Sequence, residues 1–251
     1  MKYYVTSDVH GFYMPLRAIL TKAGYFDDTE PHKLLIVGDL FDRGREAVVL
    51  QSFILDLLER DEVILIRGNH EDLFEELVTV DNGLRYDHHL SNGTYSTALQ
   101  LTGFDKRHAK VSPLAFARAA RETPYYTTIL PAMIDYYETD SFVFTHGWIP
   151  CVKDEDGSLS YMDGWREASE QSWRQARWIN GIDAVRTVFE DGKTIVCGHW
   201  HTSYGHSKYE GMGTEFGKDA DFSPYIAPGI IALDACTAYS GIVNCIVVED
   251  G

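Results

Sequence analysis

Short apolar runs alternate with polar, turn-rich segments along this chain of 251 residues, and two periods separate cleanly in its first third. Residues 2–6, 34–37 and 63–66 are compact apolar runs of strand length. Between them, Leu16, Ile19 and Leu20 within 14–23, and Val49, Phe53 and Leu57 within 46–60, recur at helical spacing. A third helix is expected from about His70, with Leu73, Phe74 and Leu77 on its apolar side. This β-α-β-α-β order predicts an α/β sheet with crossover helices. Residues 81–133 differ. They carry turn signals at Asp81-Asn82-Gly83 and Ser91-Asn92-Gly93, then helical patterning over 113–121, and predict a mostly helical insertion. Strands are expected again at 133–138 and 141–145 around a hairpin turn at Glu138-Thr139-Asp140. Helices at 163–179 and 182–190, a strand at 194–197 and a surface excursion or short β structure at 203–228 follow. Two antiparallel strands, 230–234 and 241–248, close the chain. No internal repeat or linker tract divides it, so a single domain over 1–251 is the simplest organisation.

Five of these apolar runs end in residues that ligate metals. They lead into Asp8-Val9-His10, Gly38-Asp39, Gly68-Asn69-His70, His146-Gly147 and Gly198-His199-Trp200-His201. A strand end is stiff, and ligands just beyond it are held where loop ligands would wander. Five such ends converging on one edge of a sheet would form a rigid polar cup. The mixed oxygen and nitrogen donors suit a divalent cation, with Mn first and Fe or Zn as alternatives, rather than a thiolate site.

Charge and cysteine content narrow the partners. A formal net charge of −16 excludes nucleic-acid or anionic-membrane binding through bulk charge, although bound cations can invert the field locally. Cys151, Cys197, Cys236 and Cys245 are scattered without a C-x-x-C pair and are expected reduced. The N-terminus starts directly on a strand, and no apolar stretch reaches the ~18 residues of a membrane span. The expected compartment is the cytoplasm.

The chemistry follows from residue type. Asp8 and His10 are two apart, so an extended strand end turns both toward one cation. Asp39 can offer one oxygen to each of two cations, and a bridging anion is what two ions ~3.5–4 Å apart require. Asn69 adds a carbonyl oxygen, while His146 and His199 add nitrogens. Arg43 is suited to bidentate contact with phosphate oxygens. His70 can protonate a leaving alkoxide, with Asp42 orienting its ring.

Asp8-Val9-His10-Gly11, Gly38-Asp39-Leu40-Phe41-Asp42-Arg43-Gly44, Gly68-Asn69-His70-Glu71, Thr145-His146-Gly147 and Gly198-His199 together resemble the ordered signature of calcineurin-like metallophosphoesterases. The Asp-Arg-Gly and Asn-His-Glu versions are similar to the phosphoprotein phosphatase branch, which includes bacterial serine/threonine phosphatases and diadenosine tetraphosphatases. The resemblance implies a central β-sandwich flanked by helices and two divalent ions per chain. One would be held by Asp8, His10 and Asp39, the other by Asp39, Asn69, His146 and His199. It also implies His70 with Asp42 as an acid pair, Arg43 and Arg177 as phosphate clamps beside Asn69, and a metal-bridging hydroxide attacking phosphorus in line. His201 sits at the spacing of the broader superfamily's Gly-His-x-His and is a further metal candidate; Arg45 and Trp148 depart from the branch's usual Pro and Gly. The expected substrate is a phosphoprotein or a small phosphoester. A serine/threonine phosphatase stands first, with a symmetrical dinucleoside tetraphosphatase or another phosphodiesterase as alternatives. A non-catalytic scaffold is the reading from another class, and the intact ligand set speaks against it.

Overall fold

The computed structural model describes residues 1–79 and 86–250. Strands β1 (Lys2–Thr6), β2 (His32–Val37) and β3 (Val63–Ile66) alternate with helices α1 (Tyr13–Ala23), α2 (Ala47–Glu59) and α3 (Asn69–Thr79). The helical stretch continues through α4 (Tyr86–Asn92), α5 (Thr94–Thr102), α6 (Lys106–Val111), α7 (Pro113–Arg121), a π-helical turn at Tyr125–Ile129 and α8 (Leu130–Ala132). Then come β4 (Tyr136–Glu138), β5 (Phe142–Thr145), a small hairpin of β6 (Cys151–Lys153) and β7 (Leu159–Tyr161), and helices α9 (Glu170–Ala176) and α10 (Gly181–Ala184). The last elements are β8 (Thr194–Cys197), α11 (Thr202–Gly205), β9 (Tyr225–Ala227), β10 (Ile230–Ala232), α12 (Thr237–Ser240) and β11 (Cys245–Glu249).

Two main sheets form, in the orders β11-β1-β2-β3 and β4-β5-β8-β10-β9. Because side chains alternate along a strand, each sheet has two apolar faces, and the layering can be read residue by residue. Tyr3, Val5, Leu35, Val37 and Ile66 of the first sheet meet Phe144 and Val196 of the second in one buried layer. Their neighbours Tyr4, Leu34, Ile36, Val63 and Leu65 turn outward under Leu16, Leu20, Leu50, Ile54, Leu57 and Phe74 of α1, α2 and α3. On the far side Val143, Ile195, Cys197, Ile230 and Ala232 pack against Trp148, Trp165, Trp173 and Ile182. The result is an αββα sandwich, an α/β fold with helices on both outer faces.

The expectation of one sheet edge is corrected. The five ligand-bearing strands divide between the sheets, with β1, β2 and β3 in the first and β5 and β8 in the second. After the helical insertion the chain meets β3 at the parallel bridge Ile66–Ile134 and then starts a new sheet. The expected strand 133–138 shortens to β4 for the same reason. The two closing strands do not pair with each other: β10 runs parallel to β8, and β11 antiparallel to β1. The expected helix 163–179 is broken, because Ala168 and Ser169 are extended and the Ser169 hydroxyl caps a new start at α9. The expected helix 182–190 reduces to α10, capped by the Asn180 side chain. Within 203–228 the chain forms α11, a π-helical turn at His206–Glu210 and β9. The turn Asp81-Asn82-Gly83 lies outside the described residues. All four cysteines are free thiols, and no helix among the described residues is long and apolar enough to cross a membrane.

Trp148, directly after His146-Gly147, anchors the second sheet to its helices. It is fully buried, its indole N–H donates to the Val188 carbonyl at 3.2 Å, and a Cβ on Gly181 would press on its ring. Trp148→Ala therefore removes both core volume and a donor. It is expected to destabilise the chain by about 3–5 kcal/mol, measured as a lower urea midpoint at unchanged slope.

Candidate metal centre

The parallel strands β1, β2 and β3 deliver Asp8, Asp39 and Asn69 to one end of the first sheet, and β5 and β8 deliver His146 and His199 to the same end of the second. The loops after these strands are laced together. Asp8 N donates to the Gly38 carbonyl at 3.2 Å, His10 N to the Asp39 carbonyl at 2.9 Å, and Gly198 N to the His146 carbonyl at 2.8 Å. Bonds also cross between the sheets: among them, His146 Nδ1 donates to the Val37 carbonyl at 3.0 Å, and His199 N donates to the Asp8 carboxylate at 3.0 and 3.2 Å.

Asp39 is the centre of the arrangement. Its Oδ2 lies 3.7 Å from His10 Nε2 and 3.8 Å from His70 Nε2, and its Oδ1 lies 3.3 Å from His146 Nε2. Two donor groups result, His10–Asp39–His70 and Asp39–His146–His199, each with its ligand atoms within 4.8 Å of one another. The tautomers suit cation binding. Nδ1 of His10 is tied to the Phe41 carbonyl at 2.9 Å and Nδ1 of His146 to that of Val37, which leaves both Nε2 atoms facing Asp39. Asn69 Oδ1 meets His146 Nε2 at 2.9 Å, so one proton on that nitrogen lies among the donors a cation would engage.

Burial and charge pull these groups apart. Burial disfavours a charged His146, yet the Asp39 carboxylate outweighs it and holds the imidazole up at about 10. Burial also opposes ionisation of Asp39, but His146 and His70 keep its carboxyl well below the usual range. Burial, with His146 beside it, pushes His199 down to about 3, and burial with His70 pushes His10 down, so both present neutral nitrogens. Burial and the neighbouring Asp234 raise Asp8.

The remaining expected residues are placed as follows. His70 Nδ1 is 2.7 Å from Asp42 Oδ2, and its Nε2 receives an Arg43 N–H at 3.3 Å. Burial opposes its charge, while Asp39 and the Asp42 bond prevail and raise its pKa. The expected trio Asp8, His10 and Asp39 is not assembled as such. Both Asp8 oxygens are engaged by the His199 N–H, and His70 completes the first group instead. Arg177 is not brought to the groups: it is buried with its guanidinium bound by Asp72 at 2.7 Å and by Asp135. His201 is also outside them, with Nε2 2.8 Å from Glu215 Oε1.

Residues that sequence patterning passed over complete the support. Glu71, read as a helix-dipole residue, is fully buried and accepts N–H bonds from Asp39 at 3.1 Å, Leu40 at 3.0 Å and Gly68 at 2.7 Å. Its place three residues after Gly68 is a capping-box spacing that could have marked it. Thr94 donates to Asp42 Oδ2 at 2.8 Å and Thr97 accepts from Asp42 N at 3.0 Å, both from α5; no sequence signal links them to Asp42. Backbone strain is concentrated here. Asp8, His10, Asp39, Asp42, Arg43 and His199 all have positive φ, between 50° and 77°, a conformation that non-glycine residues hold only where the surroundings enforce it.

In the cation-free chain the raised His146 stabilises the fold. That contribution is complete below its ordinary value of 6.5 and is lost as pH rises through about 10. Chelated protein is expected to lose thermal stability between those values, and His146→Gln to flatten this part of the profile; an unchanged profile in the variant would remove His146 as its cause.

A family model described as calcineurin-like phosphoesterase matches residues 1–203. A symmetrical bis(5'-nucleosyl)-tetraphosphatase of Cellvibrio japonicus (strain Ueda107) is 39% identical over 85 residues, 34% of this chain and 29% of that protein. An asymmetrical bis(5'-nucleosyl)-tetraphosphatase of Bacillus subtilis (strain 168) is 29% identical over 133 residues, 50% of this chain and 52% of that protein. The matches thus span about half or less of these curated relatives. Among solved structures, a cold-active protein-tyrosine phosphatase of a psychrophilic Shewanella species superposes with a TM-score of 0.57 at 17% identity, covering 99% of this chain and 75% of that one, a likeness of fold.

Proposed function

The chain belongs to the calcineurin-like phosphoesterase family, a family of phosphoester-hydrolysing enzymes, and from that premise we propose that it is a two-cation hydrolase whose substrates are dinucleoside tetraphosphates. One observation carries the two-cation part: Asp39 turns one oxygen to His10 and His70 and the other to His146. A single carboxylate serving two donor groups is what a pair of close cations needs.

The donor chemistry fits divalent ions. Two neutral imidazoles, His10 and His199, join an ionised carboxylate and the Asn69 carbonyl oxygen, with no thiolate present. One cation would take His10 and Asp39, with Asp8 available once its hydrogen bonds to His199 are exchanged; the other would take Asp39, Asn69, His146 and His199. Bound divalent cations supply Lewis-acid charge to the phosphoryl oxygens and lower the pKa of water. The chain's own groups do the rest. Asp42, itself held by Thr94, orients the His70 ring, and Nε2 carries a proton toward the leaving oxygen once the Arg43 N–H it accepts turns to the phosphate. Arg43 is exposed beside that nitrogen and supplies hydrogen bonds to non-bridging oxygens. Arg177 has no such role here, because Asp72 and Asp135 occupy it.

The substrate class draws support from the two tetraphosphatase relatives, which fit the alternative held behind the serine/threonine phosphatase on sequence grounds. Neither relative supports a phosphoprotein substrate. A turnover panel with Mn-loaded protein tests the reading. A dinucleoside tetraphosphate is expected to exceed a phosphopeptide, a nucleoside monophosphate and a diester in kcat/KM, and its products distinguish symmetrical from asymmetrical cleavage. A phosphopeptide turned over faster would overturn it.

Two variants test the roles. Asp39→Asn is expected to lose both cations in a metal analysis after equilibrium dialysis, and retention of two per chain would sink the shared-carboxylate assignment. His70→Asn is expected to slow hydrolysis of an alkyl phosphate by about 10²–10⁴-fold and that of nitrophenyl phosphate far less, since nitrophenolate leaves without a proton. Equal losses would remove His70 as the acid.

A further inference from the structure

A continuous run of aromatic rings leads away from the second donor group. The ring of His199, one of its members, is flanked by Trp178 at 5.8 Å and an 83° interplanar angle, and by Trp200 at 6.0 Å and 60°. Trp200 stacks on His201 at 5.9 Å with 19° between the planes, His201 lies 4.9 Å from Phe216, and Phe216 meets Tyr239 edge-on at 5.4 Å. The ends of the run are open: Trp178 is 49% exposed, Phe216 48% and Tyr239 56%. Single exposed apolar residues are ordinary on a protein surface, but a contiguous set beside a polar centre marks a place where something binds.

The run is held in place. The His199 imidazole hydrogen-bonds to the Trp178 backbone. Ser203 Oγ donates to the Glu215 carbonyl at 2.7 Å, His201 Nε2 lies 2.8 Å from the Glu215 carboxylate, and Gly217 N donates to Tyr239 Oη at 3.1 Å. Rings fixed by neighbours lose little entropy when they receive a flat ligand. The charge along the run also selects its occupant. The ion pair on it brings a carboxylate, Glu215, and none of the described cation-on-ring contacts falls on Trp178, Trp200, Phe216 or Tyr239, although Lys208 covers Tyr204, a ring packed against Trp200 and His201. A carboxylate and bare ring faces repel a phosphate and suit a flat, neutral group. A nucleobase is such a group, and stacking on aromatic side chains is how proteins hold bases without reading their identity.

We propose that Trp178 on one side of His199, and Phe216 with Tyr239 on the other, form a nucleobase platform next to the phosphate-cleaving centre. This rests on the dinucleoside tetraphosphate reading and extends it: the phosphate chain lies at the Asp39 groups, and the two bases lie on rings at either side. The platform recognises the ring plane, so it tolerates purine and pyrimidine alike, and the sugar and phosphates contribute nothing to it.

Binding separates this platform from the turnover question. Mn-loaded protein is titrated calorimetrically with adenosine 5'-monophosphate and with ribose 5-phosphate, in which an anomeric hydroxyl replaces the base. The nucleotide is expected to bind at least about tenfold more tightly, within the range that one stacked base supplies. Trp178→Leu and Phe216→Leu, at half-exposed positions where folding is checked by thermal melting, are each expected to shrink that ratio several-fold. Equal affinity for the two ligands, or a ratio untouched in both folded variants, overturns the platform. If the nucleotide is preferred but no dinucleoside tetraphosphate is cleaved, the platform stands and the substrate reading falls. If the tetraphosphate is cleaved while the two ligands bind alike, the substrate reading stands and the platform falls.

Discussion

The Asp39 carboxylate, ionised and buried where the two sheets meet, is the constraint on which the site depends. An isolated carboxylate in such a place would cost several kcal/mol in lost hydration. Here it faces imidazoles from both sheets, and the His70 backbone N–H donates to it at 3.1 Å. With no cation, His146 answers the charge by holding its proton up to about 10. A divalent cation answers the same charge more strongly with the same donor atoms. The polar end of the sandwich is thus built around a negative charge that must be met, and the choice between proton and cation is left open by design of the donor set.

Holding that charge in place requires an unusual backbone. Six of the residues implicated in the site adopt positive φ, a cost that α/β loops normally assign to glycine. The compensation is local. Glu71 gathers three N–H groups from the loops after β2 and β3, and Tyr125 Oη reaches it at 3.4 Å from the helical insertion. Gly68 has no Cβ because one would collide with Asp39 itself, and Gly38 is likewise pressed by the His146 ring. The glycines in these motifs are therefore about approach between chain segments as much as about turning.

The helical insertion is more than a cover. It supplies Thr94 and Thr97, which fix Asp42, and Asp42 in turn fixes the ring of His70. The surface excursion plays the matching part on the other side, where Glu215 and Phe216 meet His201. Segments that carry no motif thus shape the approach to the strand ends.

Much of this was legible in residue order alone. Compact apolar runs in β1, β2 and β3 and helical spacing in α1 and α2 are local properties, so they survive in one dimension. The ligand motifs were legible for the same reason, since each is a strand end followed by a tight turn. Pairings between distant segments were not. That β5 and β8 join a second sheet depends on which edge strand the chain meets after the insertion. That Arg177 is captured by Asp72 and Asp135 depends on charges 105 and 42 residues away along the chain. His201 turned to Glu215 for the same reason, because a side chain bonds to whatever partner folding brings within reach. The sequence by itself determined the donors, their order and the family chemistry they serve. Only the tertiary structure decided which donors share Asp39, which charges are already occupied and which aromatic faces stand open, because those are outcomes of packing between segments that sequence spacing does not constrain.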